Sequence, residues 1–154
     1  MSLDLSIIRY EELPPSGPLR RQKISFMLGR RTKFVPGILK LVQSVVKLML
    51  TTPGTDQFFP EAGTVIPALL KRGVSGSSAQ LVKMDIGASI QDLERQIQEF
   101  QAAEAIPDDE RLREIQTRRV EFNADAGEWQ IELAVVSEAG QGVTFDVAQL
   151  MKGE

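Results

Sequence analysis

Cysteine and histidine are both absent from this chain of 154 residues. Without cysteine no disulfide can form, and without either residue the common zinc ligand sets are excluded. Nucleophilic catalysis by Cys–His or Ser–His pairs is excluded as well. Any catalysis would have to use carboxylates, Lys, Arg, hydroxyls or Tyr10, the single tyrosine. The composition therefore favours a non-enzymatic protein, and no cofactor, metal or small-molecule substrate is expected.

Long apolar runs are also missing. The most apolar stretch, residues 35–50, is interrupted by four polar side chains and is too short to cross a bilayer. The first residues are acidic and polar, whereas a signal peptide begins with a basic stretch followed by an apolar core. We therefore expect a protein made in the cytoplasm, with no membrane partner. Its length fits a single domain.

The charge of the chain is divided unevenly, and residues 17–55 contain no acidic residue. Residues 1–83 carry 12 Lys/Arg and 5 Asp/Glu, a net charge of +7, and residues 84–154 carry 6 and 16, a net charge of −10, which together give −3. Such asymmetry is typical of a polyanion-binding segment or of two surfaces for different partners. A nucleic-acid-binding adaptor is therefore one alternative, although the basic stretch has only Phe26 and Phe34 for base stacking.

Residues 1–35 are predicted to form an extended basic arm, outside a single domain at residues 36–150. Prolines and a glycine at residues 14–18 break regular structure, and basic residues with scattered apolar ones follow. An arm of this composition is either disordered on its own or ordered by a partner. We expect its contacts to be made by four arginines, Arg20, Arg21, Arg30 and Arg31.

Three helices are predicted next. The first, residues 36–51, is apolar except for one polar stripe, so it is expected to be the core helix. Residues 64–72 form a short helix, and residues 73–78 a flexible connector. The third helix spans residues 88–105, with Ser89 as its cap and apolar residues spaced by four and three.

The remainder alternates between apolar and polar residues and predicts three antiparallel strands. Turns are expected at residues 125–127 and 140–142. The predicted fold class is therefore α+β, with two to three helices on a small antiparallel sheet that ends in a C-terminal β-meander.

The last predicted strand, residues 142–148, has no following element to cover it. An uncovered strand edge is a template for β-augmentation by another chain. In that arrangement Val143, Phe145 and Val147 would fill alternate pockets on the partner. The alternative is that this strand pairs within its own sheet.

Carboxylates leave a cell-wall hydrolase as a second alternative function, because glycoside hydrolysis needs two of them across a cleft. Asp56 and Glu61 share one loop, but the 21 acidic residues provide many such pairs by composition alone.

Two segments resemble the baseplate sheath-initiator family of contractile-tailed phages, which is similar to a component of type VI secretion baseplates. In residues 47–63, KLMLTTPGTDQFFPEAG, the matching positions are Leu50, Thr51, Pro53, Gly54, Pro60 and Gly63. In residues 106–122 the family has an acid-Pro-Arg-apolar motif, and the matching positions are Asp109, Arg111 and Leu112. The chain departs from the family pattern at Glu110, which replaces the motif's proline, at Asp56–Gln57, which replaces Glu–Arg, and at Ala62, where an aromatic residue is usual.

The resemblance implies a non-enzymatic virion protein of the tail baseplate, assembled in the host cytoplasm and present in several copies arranged in a ring. Its implied partners are the baseplate wedge proteins, contacted through Asp109, Arg111 and Leu112, and the tail sheath protein, to which it presents a strand. Pro53, Gly54, Pro60 and Gly63 would shape the loop. For Arg111 an intrachain ion pair is the alternative.

Overall fold

The computed structural model describes residues 4–5, 8–14, 19–26, 34–71 and 78–147. In chain order its elements are β1 (Asp4–Leu5), β2 (Ile8–Leu13), β3 (Arg20–Phe26), β4 (Phe34–Val35), α1 (Ile38–Leu50), α2 (Ile66–Lys71), α3 (Ser78–Ala102), β5 (Leu112–Asn123), β6 (Glu128–Ser137) and β7 (Gly142–Asp146). The predicted α+β class is confirmed.

A sheet of five strands, in the order β2-β3-β7-β6-β5, forms one layer of the structure. The C-terminal meander β5-β6-β7 is antiparallel as predicted, whereas β3 joins β7 in parallel and makes the sheet mixed. A separate two-stranded ladder joins β1 to β4. The basic stretch thus contributes strands, and β2 and β3 form a hairpin attached to the meander.

Turn chemistry explains the meander. Between β5 and β6 the side chain of Asn123 accepts hydrogen bonds from the backbone N–H groups of Asp125 and Ala126, and Gly127 follows with φ 66°. Between β6 and β7 Gly140 takes φ 78°. Glycine reaches these left-handed conformations without strain. The first turn forms where the sequence predicts it, whereas the second occupies residues 138–141 and Gly142, predicted in the turn, begins β7.

The core lies between α1, α3 and one face of the meander. Leu41, Val45 and Met49 of α1 are buried against strand residues such as Leu133 and Phe145. Gln43 is completely buried, although the sequence pattern places it in the polar stripe of α1. The exposed part of that stripe is therefore narrower than predicted.

Helix α3 begins ten residues before its predicted start. It runs from Ser78 through Gly87, and the Ser89 hydroxyl donates to the Asp85 carbonyl within the helix. Ser89 as a helix cap is therefore wrong, because a serine inside a helix bonds back to the preceding turn. The predicted connector overlaps residues 72–77, which lie outside the described residues.

Candidate interaction site

The three side chains predicted to enter a partner, two in β7 and one directly after it, face the interior. Val143, Phe145 and Val147 are 0%, 2% and 0% exposed and belong to the core. The backbone edge at Val143 and Thr144 is also occupied, since these residues pair with Arg20 and Arg21 of β3. The prediction that these side chains fill pockets on another protein is therefore wrong: strand alternation directs them to the chain's own helices.

Residues 107–112, which we call the junction segment, join α1, α3 and the sheet. Glu110 is its centre: Oε1 accepts a hydrogen bond from the Gly37 N–H at 3.2 Å, and Oε2 lies 2.6 Å from Lys40 Nζ. A carboxylate suits this place because the first N–H groups of a helix carry partial positive charge. The residue that departs from the family motif thus anchors the start of α1.

The predicted wedge residues lie in the same segment and make contacts within the chain. Arg111 donates to the backbone carbonyls of Gln101, at 3.5 Å, and Glu104, at 3.2 Å, at the C-terminal end of α3. Asp109 packs beside Gly37, and Leu112 is 2% exposed. A guanidinium at the C-terminal end of a helix stabilises its unpaired carbonyls.

Residues 52–63 form the signature loop, and its glycines adopt left-handed conformations. Gly54 has φ 86°, and its N–H donates to the Pro60 carbonyl at 2.7 Å, across the loop. Gly63 has φ 117°, and a Cβ there would overlap the Thr51 carbonyl. Pro53 lies exposed at the preceding turn. Position 63 therefore requires glycine, because any side chain there would be strained by the left-handed φ and would overlap the Thr51 carbonyl.

The side chain of Gln96 fastens this loop to α3. Its Nε2 donates to the Gly63 carbonyl at 3.0 Å, and its Oε1 accepts from the Gly63 N–H at 3.1 Å. Gln96 is 8% exposed, so both hydrogen bonds lie away from water, where an unpaired polar group is costly. The loop is consequently held against the helix at its last residue.

A groove of about 500 Å³, the motif groove, separates α1 from the end of α3. The first resembling segment lines it through residues that include Leu48, Thr51 and Ala62, and the junction segment lines it through Pro107 and Glu110. Two segments about fifty residues apart in sequence therefore meet at one concave surface.

Beside the motif groove lies an aromatic patch formed by Phe58, Phe59 and Phe100. Phe58 is 87% exposed, Phe59 56% and Phe100 45%, and the Phe59 and Phe100 rings meet edge to face at 5.6 Å. Asp56 Oδ1 accepts the N–H groups of Phe58 and Phe59, which fixes the backbone that carries them. Exposed aromatic residues on an ordered loop are typical of a protein interaction site.

Charged residues border the aromatic patch. Arg95 bridges Asp92 and Glu99 on the exposed side of α3. Hydrogen bonds from Arg95 and Gln96 hold the pKa of Asp92 below its usual value of 3.8. These charges already have partners within the chain, so the unpartnered feature that a protein could recognise here is apolar.

The predicted arm arginines fall into two groups. Arg21 Nη2 lies 3.6 Å from Glu132 Oε2 of β6, and Arg20 occupies the ladder position opposite Val143. Arg30 and Arg31 lie outside the described residues. Glu110 and Gln96 were not predicted as site residues. The signal for Glu110 was that it stands where the family motif has proline. The signal for Gln96 was a polar residue on the side of α3 that faces the signature loop.

The described residues contain no cluster of three acidic side chains placed to hold a metal ion. None of the helices in the described part of the chain is long and apolar enough to cross a bilayer. No family model, curated protein or solved structure matches the chain.

Proposed function

We propose that this protein is a non-enzymatic component of a contractile-tail baseplate, which docks on wedge proteins and initiates the sheath. The observation that carries this proposal is the convergence of the two family-like segments, residues 47–63 and 106–122, on the motif groove. Of the matching positions Thr51 lines this groove itself, and the segments otherwise reach it through neighbouring residues such as Leu48, Ala62 and Glu110.

The docking surface is the motif groove together with the aromatic patch. An apolar floor at Leu48 and Phe100 adjoins the exposed rings of Phe58 and Phe59. Large aromatic residues provide much of the energy of protein interfaces, because each buries a wide rigid surface at little entropic cost. The family's helical wedge proteins are partners of suitable shape, since an amphipathic helix buries one apolar face in such a groove.

Three motif residues support the docking surface without lining the motif groove. Arg111 holds the end of α3, Asp109 packs at the start of α1 and Leu112 enters the core. Their role in wedge binding is therefore to position the two walls of the motif groove.

The sheath contact requires a free strand edge, and β5 is poorly suited to it. Side chains of α3 cover its beginning: Glu94 accepts the Ile115 N–H at 2.6 Å, Gln101 accepts the Leu112 N–H at 2.7 Å, and Gln98 donates to the Arg113 carbonyl at 3.0 Å. Further along β5, a register shift occurs between Thr117 and Arg119, and the arginines there are exposed. Bulges and charges of this kind discourage edge pairing.

Because β3 covers β7 at Val143 and Thr144, the outer edge of β2 is the strand edge left for the sheath contact. Its residues Ile8–Leu13 pair with β3 on one side and with no other described strand. We place sheath addition at this edge of the β2–β3 hairpin.

Replacing Phe58 by Ser in the particle that carries this protein tests the docking surface. We expect baseplates that lack the protein and tails without sheath, observed by electron microscopy. Leu81→Ser is the matched control, because Leu81 is 63% exposed on α3 outside the patch. Normal sheathed tails with Phe58→Ser, or equal loss with both variants, would contradict the proposal.

A further inference from the structure

The β2–β3 hairpin is attached to the rest of the sheet by its shortest ladder. Two residue pairs join β3 to β7, compared with six between β2 and β3, five between β6 and β7 and ten between β5 and β6. The β3–β7 ladder is also parallel, which is slightly weaker per residue than antiparallel pairing. The hairpin therefore holds itself together better than it is held to the meander.

Within residues 19–26 the structure describes the side chains of Leu19, Arg21 and Gln22. Gly142 leaves room for Leu19, whose Cδ2 would lie 2.5 Å from a Cβ at that glycine. The Arg21–Glu132 pair spans 3.6 Å with side chains 37% and 26% exposed, so water screens it. Gln22, the next residue of β3, is 5% exposed and its Oε1 has no hydrogen-bond partner. A buried unpaired oxygen lowers the free energy gained by docking.

We propose that the hairpin is an exchangeable arm, which pairs with β7 of a second copy of this chain. Detachment would uncover the Val143–Thr144 edge, and an uncovered edge seeks another strand. The structure identifies a strand that fits there, namely β3, with Leu19 beside Gly142 and Arg21 beside Glu132. A β3 from a neighbouring copy offers the same contacts, so exchange needs no new complementary surface.

Exchange leaves the six hairpin pairs of β2 and β3 intact, because both strands move together. Only local concentration then decides between pairing within one chain and pairing between chains. Arm exchange depends on the sheet alone, so it holds or fails independently of the baseplate proposal.

Two engineered cysteines test this inference cleanly, since the chain has none of its own. A Cβ at position 142 would lie 3.4 Å from Leu19 Cγ, so the side chains at these two positions meet directly. The double variant Leu19→Cys/Gly142→Cys, oxidised at high dilution, is expected to form an internal disulfide. Failure to form it would overturn the inference, because β3 would not lie on β7 at all.

Mixing two cysteine variants then reports exchange. Chains with Leu19→Cys and chains with Leu19→Ala/Gly142→Cys, in which no Leu19 side chain meets the new Cβ, are combined, oxidised and analysed on non-reducing gels, with the 19–142 link identified by mass spectrometry. We expect this heterodimer to increase with concentration and to exceed severalfold the product of a control mixture, Leu19→Cys with Leu19→Ala/Thr117→Cys. Thr117 is exposed on β5, so it reports random collision. A yield no greater than the control would overturn the inference.

Discussion

Glu110 Oε2 lies 2.6 Å from Lys40 Nζ, and the two side chains are only 12% and 14% exposed. The same carboxylate accepts the Gly37 N–H through Oε1. A single acid thus joins the junction segment to the start of α1 and forms part of the wall of the motif groove. This connection ties the junction segment to α1 at the groove wall.

Replacing Glu110 by Gln is expected to lower the free energy of unfolding by about 1–3 kcal/mol, because Lys40 and Gly37 lose a charged acceptor away from water. Urea denaturation measures the loss. Glu99→Gln is the control: Glu99 pairs with Arg95 at 2.7 Å but is 62% exposed, so its loss should stay below about 1 kcal/mol. Equal losses in the two variants would show that burial of the Glu110 pair is irrelevant.

Three glycine-to-alanine substitutions should change the free energy of unfolding by amounts that differ in sign and size. Gly63→Ala is expected to cost roughly 2 kcal/mol or more, since it combines a left-handed φ with overlap on the Thr51 carbonyl. Gly54→Ala, with open space at φ 86°, should cost less. Gly87→Ala, within α3 and unobstructed, should stabilise by about 0.5–1 kcal/mol. Thermal denaturation gives the order, and a mild Gly63→Ala would refute the loop geometry.

Phenylalanine truncations should distinguish the core from the docking surface. Phe145→Ala removes a side chain that is 2% exposed and should destabilise by about 3–5 kcal/mol. Phe58→Ala removes one that is 87% exposed and should leave the free energy of unfolding within about 0.5 kcal/mol. Chemical denaturation of both variants measures this difference. A stable Phe145→Ala variant would mean that β7 does not pack as described.

Acid should weaken the contact between α3 and the signature loop through Asp92. Its folded-state pKa lies below 3.8, because Arg95 and Gln96 donate hydrogen bonds to the carboxylate. The stabilisation is therefore present above pH 3.8 and is lost as the pH falls through the folded-state pKa. Asp92→Asn should be less stable than the parent at neutral pH, by less than about 1 kcal/mol since the side chain is 48% exposed. The difference should vanish in strong acid, as denaturation at several pH values would reveal.

Local patterns were sufficient for much of the fold. The apolar periodicity of α1, the alternation of β5 to β7 and the glycine turns each depend on neighbouring residues, and the α+β class follows from them. The start of α3 escaped prediction because Gly87 and Ser89 are typical of a helix boundary, although Leu81, Val82 and Ile86 continue the helix before them. Parallel pairing of β3 with β7 joins residues over a hundred positions apart, which local periodicity does not encode.

The candidate site was predictable in part. Family-like residues marked the signature loop and the junction segment, but sequence could not reveal that Arg111 serves the end of α3. Glu110 gained its role from the distant Gly37 and Lys40, so its meaning depends on tertiary structure. Likewise, the burial of Val143, Phe145 and Val147 follows from the helices packed over them.

The most direct measurement of the proposed docking is isothermal titration of the purified protein with a baseplate wedge protein. We expect the parent chain and Leu81→Ser to bind with similar Kd, and Phe58→Ser to bind roughly tenfold or more weakly. Identical Kd values for all three chains, or no binding by the parent chain, would contradict the assignment of the motif groove and aromatic patch as the docking surface.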